Sequence, residues 1–556
     1  MERLKSNLFI QFLPILSGTL LGLAINEVYG VSLAFLSWFC LIPLFIYLGE
    51  KQTFRNWLIA SIGFSATFVL FSLLAFVVVN PVSGTLLISG VSALFTIPFL
   101  VLYALKSISK HKINHIFYFL PFIWPAFEWF ILEHLFSFPH LPFANSQANY
   151  PWLIQYIDTT GYTGVSFWVI TVNIILYQIF ESFRLKGTLP TSKTNIRLVI
   201  ALIVSFVLPL LYTWYSFETL PNRFLGEINV TVVQPNLKPE DTSDSLQSFF
   251  FDRLIALSDS AVKQTETDLL VWPESAILGN FRYQEDLQQI LSDKVLKWQT
   301  PLVSGTLDID YFPKNGSPSP LARYLNRDYR LYNSVVMLTP QLAWKIRHNE
   351  LDGSHVALYR KQHLMPFTEY VPFAEEFPFL SQIGLKYGNQ IHLSKGSKKP
   401  YLRFLSKKNH VISLSPLICW DLLFSTKESS FDPSKIQFIT AHSNESLLGD
   451  GLTTTVHEMK NYTRLRSIEN RKSIVKSSTT GLSLFVNPFG EVYGEQEWFK
   501  EGFRTETITL VSGSTFYTSY SHWFPTCSLF SISIILLFFQ LKPLINTKNH
   551  EKKYHS

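Results

Sequence analysis

Asn409-His-Val-Ile-Ser-Leu-Ser-Pro-Leu-Ile-Cys-Trp-Asp421 decides how this chain is read. The apolar run to Ile418 predicts a strand, and it ends on a thiol followed by an aromatic residue and an acid. The chain has three cysteines. Cys40 and Cys527 lie in or beside apolar segments, so Cys419 is the only one in the long polar part. A lone thiol forms no disulfide within its domain and is either buried filler or a nucleophile. The choice rests on what else the fold brings to it.

Outward from this stretch, composition sets the frame. Of 556 residues, 47% are hydrophobic and only 16% charged, with 48 Phe. The apolar residues are clustered, which predicts membrane spans plus a polar domain. A net charge of +6 is small for this length and does not point to nucleic acid. Cysteine usage excludes a disulfide scaffold.

A helix needs about 20 apolar residues to cross the hydrocarbon core. Runs near 7–26, 32–49, 57–79, 84–105, 115–135, 161–181 and 197–217 fit this, and an eighth lies near 523–541. With the N-terminus inside, the cytoplasmic segments carry 15 Lys and Arg, from Arg3 to Lys553. The short outside loops 27–31, 80–83 and 136–160 carry none. The positive-inside rule then puts both termini in the cytoplasm and 218–522 outside. Arg3 and Lys5 precede the first run, but no small-residue cleavage site follows, so a retained anchor is expected rather than a signal peptide. The aromatic, Pro-rich stretch Phe136–Trp152 reads either as an interfacial belt or as a lipid-facing rim. Glu128 and Glu133 lie in the fifth span; Glu133 is expected to reach water, and Glu128 to face a neighbouring helix or a cavity.

From Gly226 the texture changes. Glu227–Gln234 alternates as a half-buried strand, Asp244–Lys263 has helical spacing, and Asp268–Trp272 is a short buried strand. Helical texture returns over Tyr283–Trp298. Strands follow near 301–307, 332–339, 411–418 and 436–441. A helix over 453–469 shows a basic face of Lys460, Arg464 and Arg471, and strands near 473–477 and 482–493 close the domain, with a turn at Asn487–Gly490. Segments 312–328 and 394–408 read as surface loops. Alternating strands and helices predict a layered α/β domain.

Three polar residues stand at strand ends or in motif-like loops, where side chains leave the core of such domains. Glu274 ends Leu269-Leu-Val-Trp-Pro-Glu274. Lys361 lies in Tyr359-Arg-Lys-Gln-His-Leu-Met-Pro-Phe-Thr-Glu-Tyr-Val-Pro-Phe373. Cys419 ends the opening stretch. A carboxylate that takes a thiol proton, a thiolate that attacks a carbonyl and an ammonium that stabilises the oxyanion make an acyl-transfer site. Taken singly, Glu274 reads equally as a helix cap, Lys361 as a surface charge and Cys419 as core.

The order Trp272-Pro-Glu-Ser-Ala276, then Lys361-x-x-Leu-x-Pro-Phe-x-Glu-Tyr-Val-Pro372, then Ile418-Cys-Trp-Asp421 resembles the nitrilase superfamily. The second motif, flanked by spans on both sides, resembles its membrane-embedded branch, the apolipoprotein N-acyltransferases. Trp124-Pro125, Glu128-Trp129, Phe138-Pro139, Val232–Asn236, Arg464–Arg471 and Thr480-Gly-Leu-Ser483 extend the likeness over nearly the whole chain.

The resemblance implies a multi-pass α-helical membrane domain of eight spans plus an α/β nitrilase-like αββα sandwich. The expected divisions are 1–217 for seven spans, 218–522 for the catalytic domain, 523–541 for the eighth span and 542–556 for a basic tail. It implies Glu274 as general base, Lys361 as oxyanion stabiliser, Cys419 as nucleophile and Glu369 as their orienting acid, with Trp420 and Asp421 in support. The expected reaction is ping-pong. A phospholipid donates an acyl chain to Cys419, and the α-amine of a diacylglyceryl-cysteine on an apolipoprotein accepts it. Thioester to amide is downhill, so no cofactor or metal is expected, nor nucleic acid or a second copy of the chain. Membrane lipids are the expected surroundings, in a bacterial inner membrane with the catalytic domain on its periplasmic side. Two departures stand out. Asp421 replaces a longer Glu, and Asn444-Glu-Ser-Leu-Leu-Gly449 replaces Asn-Asp-Ala-Trp-Phe-Gly in a loop expected to touch substrate through Asn444 and Glu445. His442 beside it is expected to be a core or loop residue. The competing readings are a tethered nitrilase-type amidohydrolase, which needs one span rather than eight, and a transporter with an outside domain, for which Glu128 alone speaks.

Overall fold

A computed structural model describes residues 2–28, 31–79, 81–109, 113–186, 193–236, 244–313, 318–383, 392–397, 401–425, 432–445, 453–534 and 537. The expected tail 542–556, the end of the eighth span and the loop beyond Glu445 lie outside them. The chain forms two compact units, Met1–Tyr215 with Tyr520–Ser556, and Ser216–Ser519.

The first unit is helical. Among the described residues, four helices are long and apolar enough to cross a membrane: Phe54–Val78, Gly84–Ile108, Tyr162–Arg184 and Ile196–Arg223. Ile10–Ile25, Ala34–Glu50 and Trp523–Ile534 are shorter apolar helices. The expected fifth span is broken. Helix Leu120–Phe127 contains Pro125 and passes into a π-helical stretch, Glu128–Leu135. Proline removes a backbone donor there, and a wider turn absorbs the mismatch. Glu128 is buried and accepts from Trp124 Nε1 (3.0 Å), Phe143 N (3.1 Å) and Ser166 Oγ (3.0 Å). Glu133 is also buried, with Tyr162 Oη at 3.3 Å, rather than reaching water. Of the aromatic stretch, 138–148 is buried while Phe136 and Trp152 at its ends are exposed. It folds into the unit, where Gln147 Nε2 donates to Ser37 Oγ at 2.7 Å.

The second unit is a two-sheet sandwich. Its elements are β1 (Phe224–Gln234), α1 (Asp244–Gln264), β2 (Leu269–Val271), β3 (Ile277–Asn280), α2 (Glu285–Trp298), β4 (Leu302–Tyr311), β5 (Tyr329–Leu338), α3 (Pro340–Arg347), β6 (Ala357–Arg360), β7 (Leu402–Leu405), β8 (Val411–Ile418), β9 (Phe438–Ser443), α4 (Thr453–Asn470), β10 (Ser473–Ser478), β11 (Leu484–Val486), β12 (Val492–Tyr493) and β13 (Gly502–Val511). One sheet runs β13-β1-β2-β4-β5-β6, with β3 beside β4; the other runs β12-β11-β10-β9-β8-β7. Strands β1, β2 and β4 are mutually parallel, as are β8, β9 and β10.

Alternation along the strands builds the layers. Leu269 and Val271 face the inter-sheet core with Val230, Val232, Leu414, Ile418, Phe438 and Val475. Leu270 and Trp272 face the other way, under Leu254 of α1 and Leu291 and Val295 of α2. Helix α4 covers the second sheet, so the order is α/β/β/α.

Several sequence expectations are corrected. β13 follows the strands expected to close the domain and pairs along β1 for its full length. Its Thr-rich alternation ends in Ile508 and Leu510, both buried. Segment 394–408 contains strand β7, and 312–328 contains a short helix, Pro320–Tyr324, capped by Ser319 Oγ. α4 has no plain basic face. Lys460 pairs with Glu495 at 2.8 Å, Arg466 is buried against Glu469, and Arg471 lies past the helix end, buried, at φ 51°.

Candidate active site

Three strand ends deliver the polar residues. After β2 the chain turns through Trp272-Pro273 to Glu274, with Ser275 at φ 52°. Gly305 of β4 passes directly behind and donates its N–H to Pro273 O at 3.1 Å. A Cβ on Gly305 would sit 2.5 Å from Pro273 O and 2.7 Å from Glu274 Cα, so glycine is required by the close approach. β6 ends at Arg360, and Lys361 follows, its N–H bonded to Asn333 O of β5 at 2.8 Å. β8 ends at Ile418, and Cys419 adopts φ 47°, a conformation that non-glycine residues rarely hold and that clusters at functional sites.

Glu274 and Lys361 are buried and form one cluster with the partly buried Glu369. Lys361 Nζ lies 2.9 Å from the Glu369 carboxylate and 3.5 Å from Glu274 Oε1. Asn333 Nδ2 bridges both acids, donating to Glu274 Oε1 at 2.6 Å and Glu369 Oε1 at 3.1 Å. Met365 N–H donates to Glu369 Oε2 at 2.7 Å. Burial works against the Lys361 ammonium, but Glu369 and Glu274 outweigh it and hold its pKa above the ordinary lysine range. Burial raises the Glu274 carboxyl above the ordinary carboxylate range, and Lys361 opposes that rise. Cys419 is within electrostatic reach of both. Burial and then Glu274 push its thiol well up, against the pull of Lys361. Burial and the Glu274 charge thus favour the neutral thiol, and Lys361 favours the thiolate.

Asp421 anchors the turn that follows Ile418. Fully buried, it accepts from Ile418 N (3.1 Å), Tyr359 Oη (2.7 Å), His363 N (2.8 Å) and Gln362 N (3.3 Å). It thus ties the Cys419 turn to the segment that follows Lys361. Trp420 is buried beside it. His442 is a core residue: Nδ1 donates to Trp272 O at 2.7 Å, and burial lowers its pKa to about 4.

Glu445, expected to touch substrate, is buried. Its buried carboxylate pairs with Lys476 and accepts from Ser443 Oγ at 2.8 Å and from Ser478 Oγ. Burial would raise its pKa, but Lys476 outweighs burial and holds it below the ordinary range. Gly481 of the Thr-Gly-Leu-Ser stretch leaves the room, since a Cβ there would lie 2.6 Å from Glu445 Oε2. Asn444 is half-buried at the end of the described segment. Sequence reasoning missed Asn333. The only signal was a polar side chain at the start of an apolar run, Asn333-Ser-Val-Val-Met-Leu338.

Comparison with known proteins covers both units. Residues 17–175 match the family model "Apolipoprotein N-acyltransferase N-terminal domain", and residues 229–515 match "Carbon-nitrogen hydrolase". An apolipoprotein N-acyltransferase of Chlorobaculum tepidum is 30% identical over 545 residues, 97% of each chain. One of Geobacter metallireducens is 24% identical over 524 residues, 92% of each. Among solved structures, a carbon-nitrogen hydrolase from Helicobacter pylori G27 is 16% identical with a TM-score of 0.34, covering 51% of this chain and 89% of that one.

Proposed function

Because the chain belongs to the apolipoprotein N-acyltransferase family, we propose that it moves an acyl chain from a membrane phospholipid to the N-terminal amine of a diacylglyceryl-cysteine on a lipoprotein, through a thioester on Cys419. Glu274 takes the Cys419 proton as the thiolate attacks the ester carbonyl of the donor. Lys361 stabilises the oxyanion. The C–O bond breaks, Glu274 returns the proton to the leaving oxygen, and a lysophospholipid departs. The acceptor amine then attacks the thioester and loses a proton to Glu274, the C–S bond breaks, and an amide and the free thiol remain. Glu369 and Asn333 hold Lys361 and Glu274 in register, and Asp421 fixes the turn that presents the thiol. The observation that carries this reading is the Glu274–Lys361–Glu369 cluster, in electrostatic reach of a cysteine held at positive φ.

The charge bias of the short loops supports an inner-membrane location with both termini cytoplasmic and the Ser216–Ser519 unit periplasmic. Seven spans over 1–217, an eighth at 523–541 and a monomeric enzyme complete this reading. Incubation with a labelled phospholipid and a diacylglyceryl peptide tests it. The label is expected on the peptide amine and absent with Cys419→Ser. Free fatty acid without peptide labelling would show hydrolysis instead.

A further inference from the structure

The parallel strands β8, β9 and β10 end side by side. Ile418 stands in register with His442 of β9, and His442 with Ser477 of β10. Cys419 and Ser443 follow directly, and Ser443 is in turn in register with Ser478. The carboxyl ends of parallel strands are where such folds assemble their chemistry.

Glu445 belongs to this rim. Its carboxylate is buried and paired with the buried Lys476 ammonium. Ser443 Oγ donates to one carboxylate oxygen at 2.8 Å, and Ser478 Oγ donates to the other. Lys476 Nζ also donates to Leu482 O at 3.0 Å, and Gly481 N–H to Ser478 Oγ at 3.0 Å. Both oxygens and the ammonium are therefore fixed. A buried ion pair is weak evidence for stability, because apolar residues of similar volume often serve a fold as well. This pair stands one strand over from Cys419, where a fixed charge acts on the chemistry.

The charges that bear on Cys419 and Glu274 divide by sign. Lys361 favours the ionised form of each, and Glu369 and Glu445 oppose ionisation of each. Glu369 is bonded to Lys361. Asp421 acts on Lys361 and is engaged by Tyr359 Oη and main-chain N–H groups. His442, on β9 between Cys419 and β10, is kept neutral by burial, with its pKa lowered to about 4. Glu445 is thus an acid beside the nucleophile that the proposed mechanism leaves without a part.

We propose that Glu445 is a positioning residue of the acyl-transfer site: Lys476, Ser443 and Ser478 fix its carboxylate one strand from the nucleophile, and its charge strengthens Glu274 as a base toward the Cys419 thiol. The inference rests on the acyl-transfer reading and adds what sets the strength of its base.

The test uses the full chain in detergent and two pH profiles, both read at the Cys419 peptide by mass spectrometry. One follows acylation by a phospholipid. The other follows alkylation by iodoacetamide, which needs no acyl donor. With E445Q, the midpoints of both profiles are expected to move to lower pH, by about 0.5 unit or more. The double variant E445Q/K476M leaves no unpaired buried charge, and its midpoints are expected to move the same way by less. Thermal melting establishes which variant is folded. Midpoints that stay at their wild-type pH in E445Q, or in the double variant where E445Q alone does not fold, would overturn the proposal and leave Glu445 to the fold. Midpoints that move up would overturn it too. A wild-type chain alkylated at Cys419 but never acylated by phospholipid would overturn the acyl-transfer reading, and the alkylation profiles would still decide whether Glu445 acts on the thiol.

Discussion

In the proposed mechanism Glu274 must be ionised to take the Cys419 proton. Burial raises the Glu274 carboxyl, and Lys361 at 3.5 Å restrains that rise. Thioester formation requires ionised Glu274, so its rate should climb with pH, and the acid limb should lie above the ordinary carboxylate range, near 4.3. Glu274→Gln should lose roughly 10²–10⁴-fold in rate with the fold intact, and whatever rate remains should lack that limb. A pH profile of Cys419 acylation in both proteins checks this; a limb that persists in the variant would assign it elsewhere. Lys361→Ala should also lose turnover, because the oxyanion would lose its cation.

At the scale of elements, Asp421 holds the site together. Removing its carboxylate leaves Ile418 N, His363 N and the Tyr359 hydroxyl without their acceptor, at about 1–3 kcal/mol for each buried donor. Asp421→Ala should lower thermal stability and slow acylation together, whereas Asp421→Asn, which keeps an acceptor oxygen, should recover part of both. Loss of rate with unchanged melting would point to a direct chemical role. The strand that presents Cys419 was legible to the residue, 411–418, because apolar residues recur along it up to Ile418, where the Cys419-Trp420-Asp421 turn begins. The strand that presents Lys361 was not: Ala357–Arg360 is four residues long, at the sheet edge, and ends on Arg360, which pairs with Asp308 and Asp310. Glu445 carried the signature of a loop acid, and only tertiary contact with Lys476 shows it as a buried ion pair. Asn333 works through two carboxylates 59 and 36 residues away along the chain, and no local pattern encodes that.

Across the whole molecule, the clustering of apolar residues predicted the helical unit, while Pro125 and the π-helical stretch Glu128–Leu135 interrupt the helix expected near 115–135. The charge asymmetry of the short loops makes a topological prediction. In a cysteine-free background, Lys407→Cys should react with a membrane-impermeant maleimide added to spheroplasts, and Gln52→Cys should react only after permeabilisation. The reverse pattern would invert the orientation. The central claim is covalent, and trapping the intermediate tests it most directly. The intact protein is incubated with phospholipid alone and weighed by mass spectrometry, before and after addition of a diacylglyceryl peptide. One acyl chain should appear on the Cys419 peptide and move to the peptide amine when acceptor is added. An unmodified Cys419, or an acyl group that stays on it in the presence of acceptor, would contradict the account.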